Sequence, residues 1–191
     1  MFIRLSFDDG PGPSTLPLLD VLRAASCHAT FFLLGQNLAG ALDVAARMAS
    51  HGHALGNHTH SHAKPGVLAD DALIDEIETT DTLIREAYRR AGVPAPDTIP
   101  LRLPYGLMPQ DNRVGVLTRL QREHTGWTAI LDDWHRPAPS PQALFDAMCA
   151  HVDASAARQR DVLFCLHDGS RHREARPNTV EAVRLFLNRS R

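Results

Sequence analysis

Short apolar runs separated by longer stretches of helical period restrict this sequence to few architectures. The runs at 2–7, 29–33, 54–57, 98–101, 125–131 and 162–166 have the length and composition of strands. Helical patterning fills 16–25, 39–51, 69–91, 111–121, 141–157 and 179–188. Within the third of these, Leu73, Ile77, Leu83, Ile84 and Ala87 recur at helical spacing, and Gly92 supplies a C-terminal stop. Six strand-then-helix units predict an α/β fold with a parallel sheet, because a parallel partner is reached only by a crossover. Nothing repetitive, low in complexity or linker-like divides the 191 residues, so residues 1–191 form one domain. A chain of this length buries roughly 70% of the surface it exposes when unfolded.

In closed or nearly closed sheets of this type, reactive side chains gather at the carboxyl ends of the strands. Asp8 and Asp9 follow the first run, in Ser-Phe-Asp-Asp-Gly-Pro, and His58-Thr-His60-Ser-His62 follows the third. On a helical turn, residues four apart share a face, so His58 and His62 converge on one ion while His60 points elsewhere. One carboxylate and two imidazoles suit Zn²⁺, and Co²⁺, Ni²⁺, Mn²⁺ or Fe²⁺ also fit. Three protein ligands leave open positions, which implies catalysis rather than a structural ion. A second carboxylate remains to handle a proton. Each half has a plain alternative: Asp-Asp-Gly-Pro is also an ordinary turn, and a His-x-x-x-His pair also occurs as surface or core histidines.

Three later segments extend the pattern: Arg102-Leu-Pro-Tyr105-Gly, Asp132-Asp133-Trp134 and Leu166-His167-Asp168. With Ala29-Thr-Phe-Phe-Leu-Leu-Gly35 and Gly56-Asn-His-Thr-His-Ser-His62, their order resembles polysaccharide deacetylases of the NodB homology type, carbohydrate esterase family 4. The resemblance runs from about Phe2 to about Leu187. It implies a distorted (β/α) barrel with six or seven parallel strands. The family has a further strand after the last helix, whereas this sequence stops at Arg191. An incomplete barrel is therefore expected, its first and last strands covered by a helix, a loop or a second subunit, as in a homodimer.

The resemblance also implies a metal-dependent hydrolase that removes N-acetyl, O-acetyl or other acyl groups from an amino sugar, oligosaccharide or sugar conjugate. In that scheme Asp9, His58 and His62 hold the metal, Asp8 is the general base and His167 the general acid. The backbone N–H of Tyr105 joins in holding the oxyanion, Arg102 pairs with Asp8, and Asp133 orients His167. Trp134 becomes a wall of the acyl pocket, Tyr105 part of the sugar rim, and Cys165 and Leu166 contribute to the same pocket. Two other classes stay open. A non-haem iron oxygenase uses the same two-His, one-carboxylate triad, and a catalytically silent carbohydrate-binding relative would keep the fold alone.

Departures from the family pattern bear on the substrate. Cys165 stands where the family usually has a Leu; the smaller side chain leaves room for a larger acyl group, or backbone adjustment fills the gap. Ile130 replaces the first Asp of the Asp-x-x-Asp-Trp motif. Asp168 reads equally as a cap for the turn after the strand. After His167, Arg171, Arg173 and Arg176 either bind a phosphate or carboxylate on the substrate or decorate a solvated loop. A net charge of −2 and a pI near 6.6 give no general attraction for nucleic acid or an anionic membrane. Cys27, Cys149 and Cys165 lie far apart and read as reduced thiols. With no signal-like start and no apolar run of about 18 residues, a cytoplasmic protein is expected.

Overall fold

The computed structural model describes residues 1–108 and 110–189. Among them β1 (Ile3–Gly10), β2 (Thr30–Leu33), β3 (Ala54–Asn57), β4 (Ala129–Ile130) and β5 (Val162–His167) form one sheet. Its order is β3-β2-β1-β5-β4 and every neighbouring pair is parallel. Helices α1 (Thr15–Ala24), α2 (Gly35–Leu38), α3 (Leu42–Ser50), α4 (Asp70–Ala91), α5 (Arg113–Arg119), α6 (Pro141–Ala156) and α7 (Pro177–Asn188) make the crossovers and the outer layer. Among the described residues no helix is long and apolar enough to cross a membrane.

The alternation along β1 sorts its side chains between two faces. Leu5 and Phe7 join the main core with Phe31, Leu33, Phe164 and Leu166, packed beneath Leu18, Leu22, Met48, Ile84, Leu144 and Val183. Each such side chain stabilises the fold by roughly 1.5–3 kcal/mol relative to exposure. Ser6 and Asp8 take the other face, toward the barrel interior, where Cys165 and His167 of β5 stand in register with them.

The distorted, incomplete barrel is present, but five strands make its ladders rather than six or seven, and the gap lies elsewhere than expected. The first and last strands pair directly, from Ile3 with Val162 through Asp8 with His167. The seam falls instead between β3 and β4. There, the predicted strand at 98–101 shrinks to bridges of Leu101 with Asn57 and with His124. Pro100 lies within this segment and Pro104 just beyond it, and neither can donate to a ladder. The run predicted at 125–131 pairs with Leu101 at its beginning and with β5 only at Ala129 and Ile130.

One side chain spans the seam. Arg102 is fully buried; its Nε donates to the Thr125 carbonyl at 3.0 Å and one Nη to the Gly126 carbonyl at 2.9 Å. Backbone acceptors that a regular ladder would satisfy are thus held by a guanidinium. Leu101 and Leu103 anchor the segment by packing with Leu73, Ile77, Val116 and Leu117 under α4 and α5.

Helix boundaries differ in two places. The helix predicted at 39–51 is α3 alone, which starts only at Leu42, after Gly40, a poor helix former, while the short α2 precedes the predicted range. The helix predicted at 111–121 is shorter because the Asp111 side chain bonds the Arg113 backbone and side chain instead. Helix α4 ends as expected: Gly92 has a left-handed φ of 68° and closes the helix.

Candidate active site

Adjacent residues of a regular strand point to opposite faces, so Asp8 and Asp9 could not both reach one cavity from an ideal β1. The register with β2 shifts between Asp8 and Gly10, and Asp9 takes a φ of 69°. This bulge turns both carboxylates into the same cavity. Left-handed backbone recurs at Thr59, His62 and Tyr105, with φ of 64°, 58° and 65°. Such conformations cost on the order of 1–3 kcal/mol each and concentrate where function requires them.

His58 and His62 do converge, but not on a helical turn. The stretch after β3 is an irregular loop, and the two left-handed residues bring the rings together at 5.2 Å between centroids. His60 points away, toward Gly35, as expected. The Nδ1–H of His58 donates to the Arg102 carbonyl at 2.7 Å, which leaves its Nε2 a lone pair facing Asp9 Oδ1 at 3.5 Å. His62 Nε2 stands 3.3 Å from the same oxygen, and burial, only partly opposed by Asp9, lowers the pKa of His62 to about 4. Asp9 Oδ1 is buried and accepts no hydrogen bond. Two ligand atoms each about 2.1 Å from a shared tetrahedral ion lie about 3.4 Å apart. The donor types, the orphaned oxygen and the two separations therefore fit a divalent cation.

Across the cavity, His167 Nδ1 lies 2.7 Å from Asp133 Oδ1, while Asp133 Oδ2 accepts from the His167 backbone at 2.8 Å and from Thr179 Oγ1 at 2.8 Å. Burial opposes the charged imidazole, but the Asp133 carboxylate outweighs it and raises the pKa of His167 to about 9. Asp8 shows the opposite balance. Burial pushes its carboxyl up, yet His58 and Arg102 together hold it below the ordinary carboxylate value. The Arg102 guanidinium donates to Asp8 Oδ1 at 2.7 Å and to Ser6 Oγ at 2.8 Å, and it lies over the Phe32 ring at 4.0 Å. One buried carboxylate thus stays ionised while a facing imidazole stays protonated.

The cavity, about 450 Å³, is lined by Asp8, Asp9, His58, His62 and His167 and by Tyr105, Trp127, Ile130, Trp134 and Cys165. Tyr105 packs its ring on His62 at 4.9 Å, and among the described residues its backbone N–H has no protein acceptor. Arg113 fixes this turn: its Nη groups donate to the carbonyls of Pro104 at 2.9 Å and Gly106 at 2.6 Å, and Asp111 holds the guanidinium in turn.

Leu166 is a correction. It alternates with Cys165 and His167, so it faces the helices, is fully buried in the main core and does not line the cavity. The arginine loop is also only partly present: Arg171 and Arg176 line the cavity, whereas Arg173 lies toward Gly40. Arg176 is occupied by Glu174 and the Gly169 carbonyl. Asp168 is fully buried, takes a hydrogen bond from Thr15 and has its pKa raised to about 7, chiefly by burial.

Two contributors escaped the sequence reading. Trp127 lines the cavity and sits close against Gly106, but in the sequence it was one apolar residue of a predicted strand. Arg113 looked like an ordinary polar residue of a short helix.

The parallel sheet thus carries, at its carboxyl edge, a cation-type donor cluster beside a second carboxylate and imidazole, the place where α/β proteins of this build hold their active sites. The chain belongs to the polysaccharide deacetylase family, whose profile matches residues 2–121. It is 31% identical over 170 residues to a chitooligosaccharide deacetylase of Bradyrhizobium sp. (strain ANU 289), covering 87% of this chain and 70% of that protein. It is 35% identical over 133 residues to a peptidoglycan-N-acetylglucosamine deacetylase of Bacillus cereus, covering 69% and 46%. A family 4 carbohydrate esterase from Streptomyces lividans in complex with acetate superposes with a TM-score of 0.75 at 26% identity, over 97% of this chain and 85% of that one. The resemblance to NodB-type carbohydrate esterases of family 4 thus holds in sequence and in fold.

Proposed function

We propose that this protein is a divalent-metal-dependent deacetylase that hydrolyses the N-acetyl group of an amino sugar within an oligosaccharide or sugar conjugate. The observation that carries this reading is the convergence of Asp8, held by Arg102 at 2.7 Å, and His167, held by Asp133 at 2.7 Å, on the cavity that also receives the Asp9, His58 and His62 cluster. The names of the relatives, a chitooligosaccharide deacetylase and a peptidoglycan-N-acetylglucosamine deacetylase, support the substrate class.

Asp9, His58 and His62 would hold the cation, with Zn²⁺ the best match to two nitrogens and one oxygen; it would polarise the acetyl carbonyl and acidify a water. Asp8, kept anionic by Arg102, accepts the proton of the attacking water at Oδ2. The Tyr105 N–H donates to the carbonyl oxygen as negative charge develops on it. His167 then delivers its proton to the departing nitrogen, while Asp133 stabilises the charged imidazole and fixes its Nδ1 tautomer. Trp134 and Ile130, 45% and 40% exposed at the mouth, offer apolar surface to the sugar and its acyl group.

An iron oxygenase would not call for the buried His167–Asp133 pair beside its triad, and an inert sugar-binding relative would need neither proton-transfer group. The deciding experiment is release of free acetate from N-acetylated chitooligosaccharides and peptidoglycan fragments by metal-reconstituted protein, without oxygen consumption. Asp8→Asn should abolish it. No acetate from any N- or O-acetylated sugar tested would overturn the reading.

A further inference from the structure

Cys165 gives the cavity a second converging donor set. Its Sγ lies 3.3 Å from Asp8 Oδ2, and the ligand atoms of Asp8, Cys165 and His167 all fall within 4.8 Å of one another. The Cys165 thiol donates to Asp8 Oδ2, a contact that an ion would replace by taking the thiolate and the carboxylate as ligands. Arg102 engages Asp8 at Oδ1 and leaves Oδ2, while Asp133 engages His167 at Nδ1 and leaves Nε2. A carboxylate behind an imidazole is the arrangement that orients metal-binding histidines. For a tetrahedral ion about 2.3 Å from sulfur and about 2.0 Å from oxygen, those two ligands stand about 3.5 Å apart, close to the separation already present. All three residues line the cavity, so an ion reaches them from solvent.

We propose that Asp8, Cys165 and His167 form a second cation site, selective for thiophilic divalent metals such as Cd²⁺ and Zn²⁺, that fills after the Asp9, His58 and His62 site. Thiolate ligation sets its preference, since soft sulfur favours these ions over Mg²⁺ or Mn²⁺. The ligating forms are the thiolate and the neutral imidazole, both favoured at higher pH. Occupancy therefore releases the thiol proton and the imidazolium proton to solvent, and binding strengthens as pH rises. A cation there also removes Oδ2 of Asp8 and Nε2 of His167 from proton transfer. Inhibition of acetate release at high metal concentration follows; that consequence rests on the proposed function, whereas the binding does not.

The test is titration of chelator-stripped protein with Cd²⁺, bound metal being counted by elemental analysis while the thiolate-to-cadmium ultraviolet band is followed. The Cys27→Ser, Cys149→Ser background leaves Cys165 as the only thiol. Two equivalents should bind, with the band developing during the second. Cys165→Ser should keep the first equivalent, lose the band and weaken the second at least about tenfold; His167→Gln, which keeps the thiol, should also weaken the second. Retention of the band in His62→Ala supports the second site whatever becomes of the first. Absence of the band at saturating Cd²⁺, whether one or two equivalents bind, would overturn the proposal.

Discussion

Replacing Asp133 by Asn tests the acid side of the site most directly. The carboxylate and the His167 imidazole are 2.7 Å apart and both largely withdrawn from water, with side-chain exposures of 0% and 12%. Raising the imidazole pKa from 6.5 to about 9 corresponds to roughly 3 kcal/mol, at 1.36 kcal/mol per pH unit. In Asp133→Asn the amide oxygen can still accept from the His167 backbone and Thr179, which turns its NH₂ toward Nδ1. That contact disfavours a proton on Nδ1. Burial is then opposed only by Asp9 and Asp8, and the pKa of His167 falls. The alkaline limb of kcat/KM for acetate release should move at least about two pH units lower.

Stability supplies an independent readout. A folded-state pKa above the unfolded value contributes stability that is complete below about pH 6.5 and is lost as pH rises through about 9. Urea unfolding of the wild type should therefore show that loss between pH 6.5 and 9, and Asp133→Asn should flatten it. An alkaline limb that stays in place, with an unchanged stability profile, would refute the assignment of His167 and Asp133.

Three further outcomes are expected. Arg102→Leu removes the cation from Asp8 and from the carbonyls of Thr125 and Gly126, so urea unfolding should show a loss of about 3–5 kcal/mol; a loss below about 1 kcal/mol would contradict its role at the seam. Arg113→Ala frees the turn that carries the Tyr105 N–H, and kcat should drop about 10²-fold while KM changes little; an unchanged kcat would exclude the clamp. Cys165→Leu refills the acyl end of the cavity and should increase the preference for acetamide over propionamide substrates by about tenfold or more, read from the two kcat/KM values.

The fold was legible where hydrophobic pattern alone decides structure. Buried parallel strands such as β1, β2 and β5 are near-continuous apolar runs bounded by chemistry-bearing residues, so their ends and the residues at those ends were read together. The segment around Leu101 was not, because Pro100 removes a donor there and the Arg102 side chain, rather than a ladder, bonds the distant Thr125 and Gly126 carbonyls. No local sequence window contains that pairing. The convergence of His58 and His62 was anticipated for a geometric reason that does not apply: left-handed backbone at Thr59 and His62, not a helical period, brings them together. Leu166 was misplaced because the motif reading ignored the alternation that sends it into the core. Arg113 was missed because its importance lies in which carbonyls it reaches, a property of the folded turn.

The extra residue at Asp9 carries a consequence for how this centre can change. Two neighbouring acids share one chamber only because the main chain slips out of step there, so their division of labour is written in chain length rather than in side-chain identity. Exchanging one acid for another kind of residue retunes a single role. Deleting or inserting a residue between Phe7 and Gly10 would instead swing one acid to the outer face, and no compensating substitution elsewhere could return it. Descendants of this sequence can therefore drift in pocket chemistry while the spacing of this dipeptide stays locked.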